Sequence, residues 1–129
     1  MSEFRGAIWW NELMTHDVDH AQAWYRRVCG WRFRTIPAAD GGDYHVAYLG
    51  AQPVAGMLDI SRMAHHAQTS ARWITYMAVD DLETALHQAE VGGGRIARAP
   101  FDVPNVGRIA IVHDSVGAPL GLIVPASAG

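Results

Sequence analysis

The chain has 129 residues, half of them hydrophobic, and a net charge of −3 with a pI near 6.1, which suits one domain with a sizeable core rather than two. All ten positive residues are arginines spread from Arg5 to Arg108, so no basic patch marks a nucleic-acid partner. No apolar run reaches the ~18 residues of a membrane helix, and the N-terminus lacks the basic start and apolar core of a secretion signal. The expectation is a soluble cytoplasmic protein with no membrane partner. Cys29 is the only cysteine, which excludes an internal disulfide or thiolate zinc site; at a predicted helix C-terminus it is expected to be buried or inert.

In chain order, Trp9 to Thr15 reads as a strand whose alternation puts Trp10, Glu12 and Met14 on one face and Trp9, Asn11 and Leu13 on the other. Val18, Ala21, Tyr25 and Val28 then recur at helical spacing, behind Asp17 as a cap and ahead of Gly30 as a terminator. Strands are predicted over 31–36, 44–49 and 54–60, separated by turns at Ala38-Ala39-Asp40-Gly41-Gly42 and Gly50-Ala51-Gln52-Pro53. Residues 61–71, with His65-His66, show no period and read as a surface linker.

The pattern then repeats. Trp73 to Val79 is strand-like, and Asp80-Asp81-Leu82-Glu83 opens a helix whose buried face is Leu82, Ala85, Leu86 and Ala89 and whose end is Gly92-Gly93-Gly94. Strands over 95–99, 107–113 and 118–124 follow, the last two joined by the turn Asp114-Ser115-Val116-Gly117. Asp17-Val18 matches Asp81-Leu82 and Gly30 matches Gly94, at an offset of about 64 residues. Two strand-helix-three-strand modules, about 6–61 and 72–125 within a single domain 1–129, predict an α+β fold. Its curved, mostly antiparallel sheet would carry the helices on its convex side and a ligand pocket on its concave side.

The segments W-N-E-L-M-T-x-D (from Trp10), W-Y-x-x-V-C-G-W (from Trp24), A-G-M (from Ala55), W-x-T-Y-x-A-V-D-D (from Trp73), G-G-x-I (from Gly93) and V-G-R-x-A-x-V-x-D-x-x-G-A (from Val106) carry a resemblance over nearly the whole chain. In that order they resemble the vicinal oxygen chelate superfamily, which contains glyoxalase I, bleomycin-resistance proteins, fosfomycin-resistance enzymes and extradiol dioxygenases. The nearest likeness is to single-domain glyoxalase-like or hydroxylase-like bacterial members. The resemblance implies that metal-dependent members draw His and Glu ligands from the first and fourth strand of each module. The corresponding positions fall on or beside Trp10, Gly56, Ile74 and Gly121, none of which offers imidazole or carboxylate. No metal and no cofactor are therefore expected.

Glu12, set against Trp10 and Met14, is expected to have a raised pKa unless a cation or donors meet it, which makes it the candidate catalytic base. A structural ion pair, for example with Arg108, is the competing reading. Tyr76 is the repeat-mate of Glu12, and with Trp10, Met14, Tyr44, Tyr48, Met57, Leu58 and Arg108 it is assigned to a pocket for a flat, partly polar small molecule; ordinary core packing is the alternative for each aromatic. The seven histidines are dispersed, and the His65-His66 pair is read as solvated rather than liganded. The function expected is a glyoxalase- or bleomycin-resistance-like small-molecule-binding protein, metal-independent and homodimeric. The alternatives are a lyase, isomerase or hydroxylase-like enzyme with Glu12 as base and, third, a metal-dependent glyoxalase or dioxygenase.

Overall fold

The computed structural model describes residues 4–37 and 43–126; the expected turn at Ala38 to Gly42 lies outside them. Among the described residues the elements run β1 (Ile8–Thr15), α1 (Val18–Cys29), β2 (Arg32–Pro37), β3 (Asp43–Leu49), β4 (Gln52–Asp59), β5 (Arg72–Ala78), α2 (Leu82–Val91), β6 (Arg95–Val103), β7 (Gly107–His113) and β8 (Pro119–Pro125). This is the α+β fold expected from the repeat. Strand-helix-three-strand occurs twice, with antiparallel meanders β2-β3-β4 and β6-β7-β8. Each module's first strand closes in parallel on its last, β1 on β4 and β5 on β8. The linker carries a short 3₁₀ turn, Ala64–His66, and a carbonyl contact from Thr69 to the His16 ring at 2.6 Å. No helix among the described residues is long and apolar enough to cross a membrane.

The chain forms two compact units, residues 10–73 and residues 74–126 with 4–9. In the first, Asp17 caps α1 by accepting from the His20 amide at 3.1 Å, and Gly30 ends it in the left-handed region at φ 73°. No residue of α1 is fully buried, and Val28, expected on the buried face, is more than half exposed. Part of the anchor is aromatic: Tyr25 stacks on Trp31 at 5.1 Å, and the Trp73 indole donates to the Tyr25 hydroxyl at 3.0 Å. Cys29 is exposed, so of the two expectations, buried or inert, burial does not hold; the last turn of an amphipathic helix with no buried residue offers it no cover.

In the second unit Asp81 caps α2, accepting from both the amide and the hydroxyl of Thr84. The cap is thus Asp81 with Thr84, not Asp80 with Glu83. Here Leu82 and Leu86 are buried against Ala110 and Val112, with Val79, Leu120, Leu122 and Val124 around them. Helix α2 ends at Val91 with Gly92 as its cap, two residues earlier in the repeat than α1, so Gly94 is not the counterpart of Gly30.

Candidate active site

On β1 the predicted alternation holds where it matters. Trp10, Glu12 and Met14 are buried, and Glu12 is 0 % exposed. The parallel register Glu12↔Gly56 and Met14↔Leu58 puts Gly56 and Leu58 on the same face, and the antiparallel register Tyr44↔Leu58 and Val46↔Gly56 adds Tyr44 and Val46. The Trp10 indole donates to the Tyr44 hydroxyl at 3.0 Å. A Cβ placed on Gly56 would overlap that hydroxyl and lie 3.0 Å from Trp10 Nε1. Gly56 is therefore the floor on which the Trp10–Tyr44 pair rests beside Glu12. Glycine inside a strand, which marks a close approach, was the signal in the sequence for this.

The second unit repeats the device with other contents. The register Tyr76↔Gly121 faces the Tyr76 ring with a glycine whose added Cβ would overlap several ring carbons. Tyr76 is fully buried, alongside Ile109 and Ile123 on that face.

The remaining candidates divide. Tyr48 is half-buried and lies on the Glu12 face through its pairing with Arg32, and the Arg34 guanidinium stands 5.3 Å from its ring centre. Met57 pairs with Leu13 and His45 on the opposite face, so of Met57 and Leu58 only Leu58 shares the side of Glu12. Arg108 is also displaced from its predicted place. It pairs with Val124, on the face of β7 that α2 covers, and donates to Glu83 of α2 at 2.6 Å, with Asp102 at 3.9 Å. Its guanidinium is held charged first by the Glu83 hydrogen bond. Alternation within β7 was legible; which parity faced the helix depended on a register that no local pattern encodes.

His45 is buried on the Met57 face and hydrogen-bonded to Thr35 Oγ1 at 3.0 Å. Loss of water lowers its pKa, against smaller opposing pulls from Asp43, Asp59 and Asp19. On the surface, His20 and Asp17 approach to 2.6 Å, which raises the imidazole and lowers the carboxyl through their shared hydrogen bond.

The positions that the family resemblance assigns to metal ligands carry Trp10, Gly56, Ile74 and Gly121, and the space over the two glycines is taken by Tyr44 and Tyr76. These residues do not fit a divalent cation. Among the described residues no group of three or more His, Cys, Asp or Glu is placed to hold one.

The sequence profile of the Glyoxalase/Bleomycin resistance protein/Dioxygenase superfamily matches residues 8–121. The chain belongs to that superfamily. It is 33% identical over 123 residues to a Mycobacterium tuberculosis protein named "Putative glyoxylase CFP32", covering 94% of this chain and 45% of that one. It is 27% identical to the anthracycline biosynthesis protein DnrV of Streptomyces peucetius, covering 88% and 45%. The chain thus spans about half the length of the curated relatives it matches. Among solved structures, the Mycobacterium tuberculosis methylmalonyl-CoA epimerase aligns at a TM-score of 0.66 with 18% identity, over 98% of this chain and 93% of that one. A Streptomyces coelicolor methylmalonyl-CoA epimerase in complex with 2-nitronate-propionyl-CoA aligns at 0.70 with 16% identity, over 97% and 100%. At these identities the likeness is one of fold.

Proposed function

We propose that the chain is a metal-independent binding protein for an aromatic carbonyl compound, held on the face of the 10–73 unit that carries Trp10, Glu12, Tyr44 and Leu58. The observation that carries this reading is the complete burial of Glu12 beside a hydrogen-bonded Trp10–Tyr44 pair on a glycine floor. A buried carboxylate is held by donors, and a ligand donor reaching this face would add to the contacts that Glu12 already makes. Trp10 and Tyr44, themselves buried, are the aromatic neighbours against which a flat ligand would pack on entering this face. The half-buried Tyr48 and the exposed Arg34 are the more accessible residues of the same face. The relative named for anthracycline biosynthesis supports an aromatic, carbonyl-rich ligand class.

The test is a thermal-shift panel of aromatic carbonyl compounds, run on the wild type and on Glu12→Gln. A ligand at about a hundred times its Kd stabilises the wild type by about 2.7 kcal/mol, and the variant loses most of that gain. No shift with any member of the panel ends the proposal. The homodimer belongs to the same proposal and is checked by sedimentation of the purified chain.

A second reading is favoured by the same carboxylate: proton abstraction next to a carbonyl, with Glu12 as base and Tyr44 donating to the developing oxyanion. That solved structures with this fold include methylmalonyl-CoA epimerases supports this reading. Arg108, assigned from the sequence to the pocket, donates instead to Glu83 on the α2 face, which leaves the oxyanion role in this reading to a tyrosine. Solvent deuterium incorporated into a carbonyl compound by the wild type, and lost in Glu12→Gln, distinguishes turnover from capture. Elemental analysis of untagged protein tests the metal-dependent reading.

A further inference from the structure

We propose a second small-molecule site in the unit formed by residues 74–126 and 4–9, in a cleft between α2 and the β7-β8 hairpin, for a carboxylic acid with a compact apolar body and a hydrogen-bond donor at its far end. The cleft measures about 350 Å³ and lies on the α2 side of the sheet, away from the Tyr76 face. That volume falls in the ~300–1,000 Å³ range of small-molecule sites.

Its origin is in the helix sequence. Leu82 and Leu86 fill their part of the interface, but the adjacent row on α2 is Ala85 and Ala89, both only half-buried, opposite Leu120 and Leu122 of β8. Two methyl groups where larger side chains would close the gap leave an apolar trough.

The two ends of the trough differ in charge. At one end Gly6 donates to the Ala78 carbonyl at 2.7 Å and Val79 to the Ile123 carbonyl at 2.9 Å, which brings exposed Arg5 to the level of Leu122. Among the described residues no ion pair or hydrogen bond holds that guanidinium. A guanidinium fork matches a carboxylate in two parallel hydrogen bonds. At the other end Asp114 accepts from the Val116 and Ala118 amides at 2.9 and 3.0 Å. Those bonds hold its carboxyl below the usual range, so it is an anion there. The Leu122 and Ala118 levels are four residues apart along the chain, roughly 13 Å at ~3.3 Å per residue. An anion is therefore drawn to the Arg5 end and repelled by the Asp114 carboxylate at the other, where a hydroxyl is favoured beside His113 and Ser115, and an apolar body suits the Ala85–Ala89–Leu120–Leu122 stretch between, which Gln88 borders.

The probe is para-hydroxyphenylpropanoate, whose carboxylate and phenol are separated by an apolar spacer of suitable length, with its neutral amide as the control. Binding is followed by ¹⁵N shift perturbation and by titration calorimetry. The acid is expected to shift the amides of α2 and β8, the amide and Arg5→Gln to weaken binding about tenfold, equivalent to one lost charge-assisted pair, and Ala89→Leu to abolish it while melting at or above the wild-type temperature. No shifts at millimolar acid, equal affinity for the acid and its amide, binding unchanged in Ala89→Leu, or shifts confined to the Trp10–Tyr44 face would each overturn the assignment. The last outcome would leave the proposed function of that face standing, since the two sites are read out by different amides.

Discussion

The two modules solve one geometric problem with different chemistry. In each, a bulky side chain lies over a glycine in the last strand: Tyr44 over Gly56 beside Glu12, and Tyr76 over Gly121. In the 10–73 unit the result is polar, with an indole-to-phenol hydrogen bond next to an enclosed carboxylate. In the other unit the corresponding face is apolar, with Tyr76 among Ile109, Ile123 and Ala78. Equivalent backbone positions therefore carry a buried polar cluster in one copy and a mostly apolar core in the other. The helices reverse that allocation: α2 has a buried Leu pair, while α1 has no buried residue.

The sharpest way to break this symmetry is at the glycines. Gly121→Ala forces the whole Tyr76 ring out of a sealed core, and we expect a loss of about 3 kcal/mol. Gly56→Ala meets only the tip of Tyr44, so about 2 kcal/mol is expected, with partial recovery in the double variant with Tyr44→Phe. Urea unfolding measures both; equal losses, or no recovery, would mean that the two glycines do not play the distinct parts assigned to them.

Next come the caps. Asp17→Ala and Asp81→Ala each remove a carboxylate acceptor from a helix N-terminus and should lower stability by less than either glycine variant. Because α2 is the better packed helix, hydrogen exchange is expected to show local fraying of α1 in Asp17→Ala but a more global loss in Asp81→Ala.

Acid sensitivity should map to the 10–73 unit. His45 has a folded pKa below its unfolded value of 6.5, so the unfolded chain binds the extra proton and stability falls as pH drops below 6.5. His20 has the opposite sign, its raised pKa adding stability below 6.5 that is lost as pH rises, but that pair is exposed and screened. His45→Gln should flatten the melting-temperature profile between neutral and mildly acidic pH; a profile as steep as the wild type would place the acid-labile group elsewhere. The smallest effect expected is that of Arg108→Ala, a shift in urea midpoint below that of any variant above, because the Glu83 pair is exposed. A large loss would return Arg108 to a buried role.

The sequence by itself determined the two modules, the cap at Asp17, the start of the second helix at Asp80-Asp81, and the sharing of one face by Trp10, Glu12 and Met14, because helical and strand periods are local properties of the chain. It also held the glycines at 56 and 121, whose place inside strands marks close approach. It left open which of Met57 and Leu58 joins Glu12, because both faces of β4 are buried and neighbouring apolar residues read alike. Only the tertiary structure decided that, through the register of β4 against β1 and β3. It likewise decided that Arg108 turns to Glu83 on α2, and that Ala85 and Ala89 leave a cleft above β8. Register and helix placement are set by contacts between residues far apart in the chain, and a one-residue slip would exchange every face.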